Sequence, residues 1–347
     1  MLFCMEEFEG TILAGRSLTP TRGRVVVEDG EIAAVEQAKT ASTNIILPAF
    51  VNAHTHIGDA VAKEAAVGLS LGEAVVPPDS LKHRRLAAAS HEQLVTAMGR
   101  TMQFMAQTGT ARFFDFRESG PDGTRQLRAA AAGQSVEPFI FGSGEPGVLE
   151  IADGYGASGA TDDDFTDHRA AANESGVPFA IHAGEPNATD IHPALDLDPD
   201  LLVHMVHATD DHLERVAQQD VPVAVCPRAN LTLRVGRASI SDLLDHTTVA
   251  LGTDNVMLNS PSMFREMAHT AKNYDVTARE VLKMATVGGA EAMGLDCGVI
   301  EAGRRAGLVV LDGDSHNLAG TEDPARAIVR RAGPLDIRDV ILPAFGE

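Results

Sequence analysis

Short apolar runs alternate with longer amphipathic stretches through most of this chain, and both ends read as strands. Near the N-terminus, Arg24–Val27 and Glu31–Val35 flank Asp29-Gly30, a dipeptide suited to a tight hairpin turn. Near the C-terminus, Gly307–Leu311, Ala327–Arg330 and Val340–Leu342 read as three further strands. Between the ends, eight apolar segments have the length of buried strands: Ile45–Ala49, Ala111–Phe116, Pro138–Phe141, Val148–Ile151, Pro178–Ile181, Leu201–Val203, Pro222–Val225 and Thr248–Leu251. Helical stretches separate most of them, among them His91–Gln107, Asp163–Glu174, Asp210–Gln219 and Ser262–Asn273. Between the third and fourth strands the helix is missing or very short. No internal repeat, coiled-coil heptad or low-complexity tract interrupts the pattern.

This alternation predicts an α/β fold: a (β/α)8 TIM barrel with a small β-sandwich domain formed by the two termini. The expected division is 1–47 with 299–347 for the composite sandwich, and 48–298 for the barrel.

Composition narrows the function classes. The 347 residues are 44% hydrophobic and 22% charged, enough for a real core. No apolar run approaches the ~20 residues of a membrane span. Glu6, Glu7 and Glu9 stand where an export signal would need a basic start and an apolar stretch, so a cytoplasmic location is expected. The net charge of −21 repels phosphate backbones, which argues against nucleic acid and for a small-molecule substrate. Of the 28 basic residues only five are Lys (39, 63, 82, 272 and 283). Many carboxylates with few lysines fits a salt-loving cytoplasm and fits equally a merely acidic protein. Cys4, Cys226 and Cys297 form no CxxC pair and no disulfide framework, in keeping with a reducing compartment. Barrels of this kind often form homo-oligomers, but no interface can be read from the sequence.

The chemistry sits at the strand ends. His54 and His56 are two apart after the run Ile45–Val51, so in a strand both imidazoles point the same way, into the barrel mouth. Two neutral imidazoles suit Zn or Fe. His182 follows Pro178–Ile181, with Glu185 three residues on. His204 follows Leu201–Val203, with His207 at the same offset, and Asp254 ends Thr248–Thr253. One such strand end means little, since core histidines are common. Metal-competent residues ending four otherwise apolar strands point to one metal site.

Leu47–His56, Ile181–Glu185, Leu202–His207, Val225–Asn230 and Leu251–Val256 resemble, in order and spacing, the amidohydrolase superfamily. The resemblance is to its deaminase and chlorohydrolase branch, which acts on nucleobases, nucleosides and triazines. Gly298–Gly303 leading to Val309–Asp312 is similar to that family's closing β segment, so the likeness spans nearly the whole chain. The resemblance implies His54, His56, His182 and Asp254 as ligands of one divalent metal, Zn ahead of Fe. It implies Asp254 as acceptor of the water proton, His204 as the residue orienting that water, and Glu185 as the acid that protonates a ring nitrogen. His204 is preferred to His207 because it lies at the strand end itself. The implied reaction is hydrolytic deamination of a small N-heterocycle, with hydrolysis of a cyclic amide as the alternative. A non-catalytic barrel would show a broken ligand set, and here the set is complete.

No lysine lies between Lys82 and Lys272, which excludes the bridging lysine of many binuclear members. Glu145 is the one glutamate placed to substitute, and reads more simply as a loop residue at the mouth. The cytidine-deaminase fold needs a PCxxC that Cys226-Pro-Arg-Ala lacks. Arg117 fits either a substrate carboxylate or phosphate, or a structural ion pair. His83, His91, His168, His212, His246, His269 and His316 read as surface residues. The chain is shorter than the usual members. Its stretch after His56, through Val75–Asp79 and Lys82–Arg85, lacks the expected lid sequence.

Overall fold

The computed structural model describes residues 5–342. Cys4 and the first residues of the N-terminal segment lie outside them. The fold is mixed α/β, with two sheets.

The first sheet has six strands drawn from both termini. Met5–Ala14 pairs antiparallel with Thr19–Glu28, which pairs with Glu31–Gln37 across the Asp29-Gly30 turn. Ile45–Pro48 pairs parallel with Met5–Ala14 and antiparallel with Leu308–Leu311, and Ile337–Ile341 closes the other edge. Alternation divides its side chains. Ile12, Val25, Ile46, Leu308 and Val310 build a cluster of their own. Leu13, Leu47, Val309 and Leu311 face the main core.

The second sheet is parallel and curled, TIM-barrel-like. It runs through Phe50–His56, Thr110–Arg117, Glu137–Gly142, Gly154–Ala157, Phe179–Ala183, Leu201–His204, Val223–Val225 and Val249–Leu251. Asp254–Asn255 continues the last of these after two residues and pairs with Thr55 and His56 of the first, so the sheet returns to its start. Ala53, Phe114, Phe116, Phe141, Ala180 and Val203 fill the space inside it. Phe116 and Phe141 lie 5.0 Å apart between ring centroids.

Helix His91–Gln107 has the predicted bounds. Ser90 and Gln93 form its capping box, and Leu94, Met98, Met102 and Met105 are its buried stripe. Asp210–Gln219 also falls where its spacing places it.

Three expectations are corrected. Ile45–Pro48 belongs to the terminal sheet, and the first strand of the curled sheet is Phe50–His56. Val148–Ile151 is no strand: Pro146–Glu150 is a short 3-10 turn, and the fourth strand is Gly154–Ala157. Its two glycines hid it. A Cβ on Gly154 would stand 2.8 Å from the Phe141 ring, and one on Gly156 would stand 2.9 Å from Phe116. Only bare backbone passes beside those rings. Ala327–Arg330 lies within a helix, Pro324–Arg331, which Asp323 caps at the amide of Arg326 and Pro324 starts. Arg330 of that helix donates to Ala271 O at 2.7 Å, tying the C-terminal segment to helix Met263–Asn273. No helix of the described residues is long and apolar enough to cross a membrane. Cys226 and Cys297 are buried free thiols.

Candidate metal centre and active site

Strand ends of the curled sheet bring six of the expected residues together at one mouth. His54, His56 and His182 offer ring nitrogens within 4.8 Å of one another, and Glu185, His204 and Asp254 offer a second such group. Asp254 Oδ1 joins the two: it lies 3.4 Å from His54 Nε2 and 3.7 Å from His56 Nε2. Two ligands each about 2.1 Å from an ion can stand at most about 4.2 Å apart, so these spacings suit a shared cation.

The tautomers agree. His56 Nδ1 donates to Phe116 O at 2.9 Å, and His182 Nδ1 donates to Ala157 O at 2.8 Å. Each therefore keeps an unprotonated Nε2 for an ion. Both ring nitrogens of the fully buried His54 lack a hydrogen-bond partner. A buried imidazole left so is costly unless a cation takes it up. Burial drives His54 down to about 3, and it also lowers His182 well below its ordinary value. Both are neutral imidazoles at physiological pH, as a metal ligand must be. Burial opposes the charge on His56 as well, but Glu118 and Asp254 outweigh it and raise the pKa.

The two carboxyls diverge. Burial and then the charge of Asp254 push Glu185 up to about 8. Burial also works against ionised Asp254, but the close approach of His54 at 3.4 Å, with His204 and His56 beside it, holds it below the ordinary carboxylate range. Backbone strain marks these positions too. Asp254 has φ 58°, and His204 and Met205 have φ 80° and 52°, left-handed conformations uncommon outside glycine.

His204 Nε2 lies 3.6 Å from Glu185 Oε2, and its Nδ1 accepts from Asn230 Nδ2 at 3.1 Å. Asn230 thereby fixes the proton of His204 on Nε2, facing the cavity. It comes from Val225–Asn230, a segment that carries the family resemblance but in which the sequence assigned the asparagine no role. Arg228 of that segment is structural: its Nε donates to the buried Glu266 at 2.6 Å.

The cavity above the site holds about 650 Å³, within the usual range for small-molecule sites. Phe116, Tyr155, Val75 and Pro77 give it apolar walls, and Glu145, Asp162 and Asp163 stand at its rim. Glu145 is exposed there, apart from the histidines. His207 lies aside, its Nε2 donating to Val235 O at 2.9 Å, and it does not line the cavity. Arg117 is 2% exposed and faces Glu118 at 2.6 Å and Asp115 at 3.6 Å, so the ion pair is the alternative the geometry favours. His83 and His168, read as surface residues, are half-buried cavity walls, and His212 is buried against Thr209 at its helix start. Lys82, Glu118, Asp59 and Asp190 are further buried or half-buried charges around the site that no short motif signals. Burial raises Asp59 to about 7. Lys82 had one signal: it is one of five lysines in an arginine-rich chain.

A protein of Methanocaldococcus jannaschii described as uncharacterized is 32% identical over 332 residues, covering 85% of this chain and 87% of its own. The 5-methylthioadenosine/S-adenosylhomocysteine deaminase of Halobacterium salinarum is 25% identical, covering 95% and 88%. Among solved structures, an adenosine deaminase from Xanthomonas campestris with bound zinc superposes with a TM-score of 0.79 at 20% identity, over 97% of this chain and 91% of that one. The amidohydrolase family model matches residues 45–342, and the chain belongs to that family.

Proposed function

We propose that the chain is a metal-dependent aminohydrolase that releases ammonia from a small N-heterocycle, a nucleobase, a nucleoside or a related ring. The observation that carries this reading is the convergence of His54, His56, His182 and Asp254 with Glu185 and His204 at one mouth, and the opposed ionisation of Glu185 and Asp254 agrees with it. Two carboxyl groups share one buried mouth, one held protonated to about 8 and the other held charged. Such divergence marks a general acid beside a general base. Similarity to a curated deaminase over most of the chain supports the same reaction.

His54, His56, His182 and Asp254 would hold one divalent ion. Imidazole and carboxylate donors suit zinc first and iron second. When bound, the ion supplies a Lewis acid that lowers the pKa of water toward ~7. The protein's own groups supply the rest. Asp254 accepts the proton of the attacking water. Glu185 gives its proton to the ring nitrogen next to the carbon under attack, which receives the displaced electron pair. His204, its Nδ1 held by Asn230, directs Nε2–H toward the same point. Asp254 then passes its proton to the departing amine, which leaves as ammonia, while the new hydroxyl gives its proton to Glu185 and becomes the ring carbonyl. The walls of Phe116 and Tyr155 present flat apolar faces to the ring.

The same reading assigns the curled sheet and its helices, 48–298, as a (β/α)8 barrel. The terminal sheet, described from Met5 to Pro48 and from Leu308 to Ile341, has its own cluster of buried side chains and is assigned as the small β-sandwich domain.

The test is ammonia release from purines, pyrimidines, pterins and their nucleosides, with zinc added and in high salt. A hit names the substrate class. One bound ion per chain with no ammonia from any ring rejects the deaminase reading and turns attention to cyclic-amide hydrolysis.

A further inference from the structure

The segment after His56 walls one side of the cavity with Leu71, Val75, Pro77, Lys82 and His83. It is seated on a small cluster apart from the main core, Ala62, Ala66 and Ala74 with Leu233 and Met257. At its inner end, Lys82 of helix Leu81–Ala88 is 5% exposed, with Nζ 2.6 Å from Glu118 Oε1. The same oxygen lies 2.7 Å from His56 Nδ1. The other carboxylate oxygen accepts from Arg117 Nη2 at 2.6 Å. One oxygen thus touches both the cavity wall and a candidate metal ligand.

We propose that Glu118 is a positioning residue coupling the wall that carries Lys82 to His56, so that filling the metal centre and seating the wall favour each other. The inference rests on His56 being a ligand. An imidazole binds an ion through Nε2 only with its hydrogen on Nδ1; that hydrogen goes to Phe116 O, and Glu118 Oε1, 2.7 Å from the same nitrogen, sets a negative charge beside it. A cation at Nε2 makes Nδ1–H more positive and strengthens its hold on Glu118. Glu118, so fixed, is the counter-charge without which buried Lys82 would be strongly disfavoured. Coupling of this kind is reciprocal, so loosening the wall weakens the metal.

A purely structural ion pair predicts no effect on metal binding, and three measurements separate the two. In the wild-type protein, amide exchange across residues 71–88 is compared with zinc bound and after chelation. The coupling predicts faster exchange, by roughly threefold or more, in the metal-free protein. Glu118→Gln should weaken the zinc Kd by about 10–100-fold, as loss of a carboxylate behind a ligating histidine does. Lys82→Met should speed exchange in 71–88 with zinc bound, and should weaken zinc less than Glu118→Gln does. Equal wall exchange in both states, or a Glu118→Gln zinc Kd within about threefold of wild type, overturns the coupling. If Glu118→Gln does not fold, the wild-type comparison and Lys82→Met decide alone. A wild-type chain that binds no zinc sinks the metal-centre reading itself. One that binds zinc indifferently to Glu118 sinks only the coupling.

Discussion

Glu185 and Asp254 offer oxygens within 4.8 Å of each other, yet one is held protonated and the other charged. The acid role of Glu185 requires the proton it keeps up to about 8, so kcat/KM should fall as pH rises through about 8. Glu185→Gln cannot donate that proton. It should cost about 10²–10⁴ in kcat, lose the alkaline limb and still bind the metal. Zinc content and a pH–rate profile check this together, and loss of zinc from the variant would make Glu185 a ligand instead. At this scale the sequence was legible wherever a polar residue ended an apolar strand: His54, His56, His182, His204 and Asp254 all stand where that rule puts them. It gave no role to Asn230 or Glu118, and for Lys82 only the rarity of lysine in the chain. Each acts through a partner brought close only by the fold, and an asparagine or lysine has no local signature of such a contact.

Strands and helices were legible in proportion to their periodicity. Helix His91–Gln107 carries four buried apolar positions and two capping side chains, and its ends follow from them. Strand Gly154–Ala157 carries almost no apolar signal, because its glycines leave room for Phe116 and Phe141. The apolar run 148–151 looked more like a strand than the strand did. Pro324–Arg331 failed the other way: a short apolar run outweighed the Asp-Pro start signal in front of it. The same crowding makes a test at the last strand of the curled sheet. Gly252 lies between Leu251 and Asp254, and a Cβ there would stand 2.6 Å from His54 Cβ and 3.0 Å from Cys226 Sγ. Gly252→Ala must therefore shift His54 or the strand that carries Gly252 and Asp254, and so disturb their spacing. Because overpacking costs only about 1–3 kcal/mol, the protein should stay folded. Its zinc affinity should nevertheless fall at least as far as a lost supporting contact would bring it, about 10-fold. Circular dichroism and a zinc titration report the two separately, and unchanged affinity would mean that His54 can move without leaving the ligand set.

For the molecule as a whole, the charge of −21 is the dominant long-range term, with 28 basic residues, five of them lysines, set against 49 carboxylates. Buried ion pairs such as Arg228–Glu266 are shielded from salt, whereas repulsion across the acidic surface is not. Screening shortens from about 10 Å at 0.1 M salt to about 3 Å at 1 M, so the folded state gains on its more dispersed unfolded chain as salt rises. Tm should climb by several degrees, about 5 °C, between 0.1 and 1 M KCl. The two readings of the composition part beyond that point. A merely acidic protein stops gaining once its charges are screened, and it keeps its activity in dilute buffer. A chain adapted to a salt-loving cytoplasm continues to gain stability in the molar range and loses turnover reversibly when salt is removed. Thermal melts and activity across KCl concentrations, on the zinc-loaded protein so that the metal centre is constant, distinguish them. A flat Tm from dilute buffer to 1 M would show that surface repulsion is already offset by the exposed arginine pairs, and would remove both readings at once.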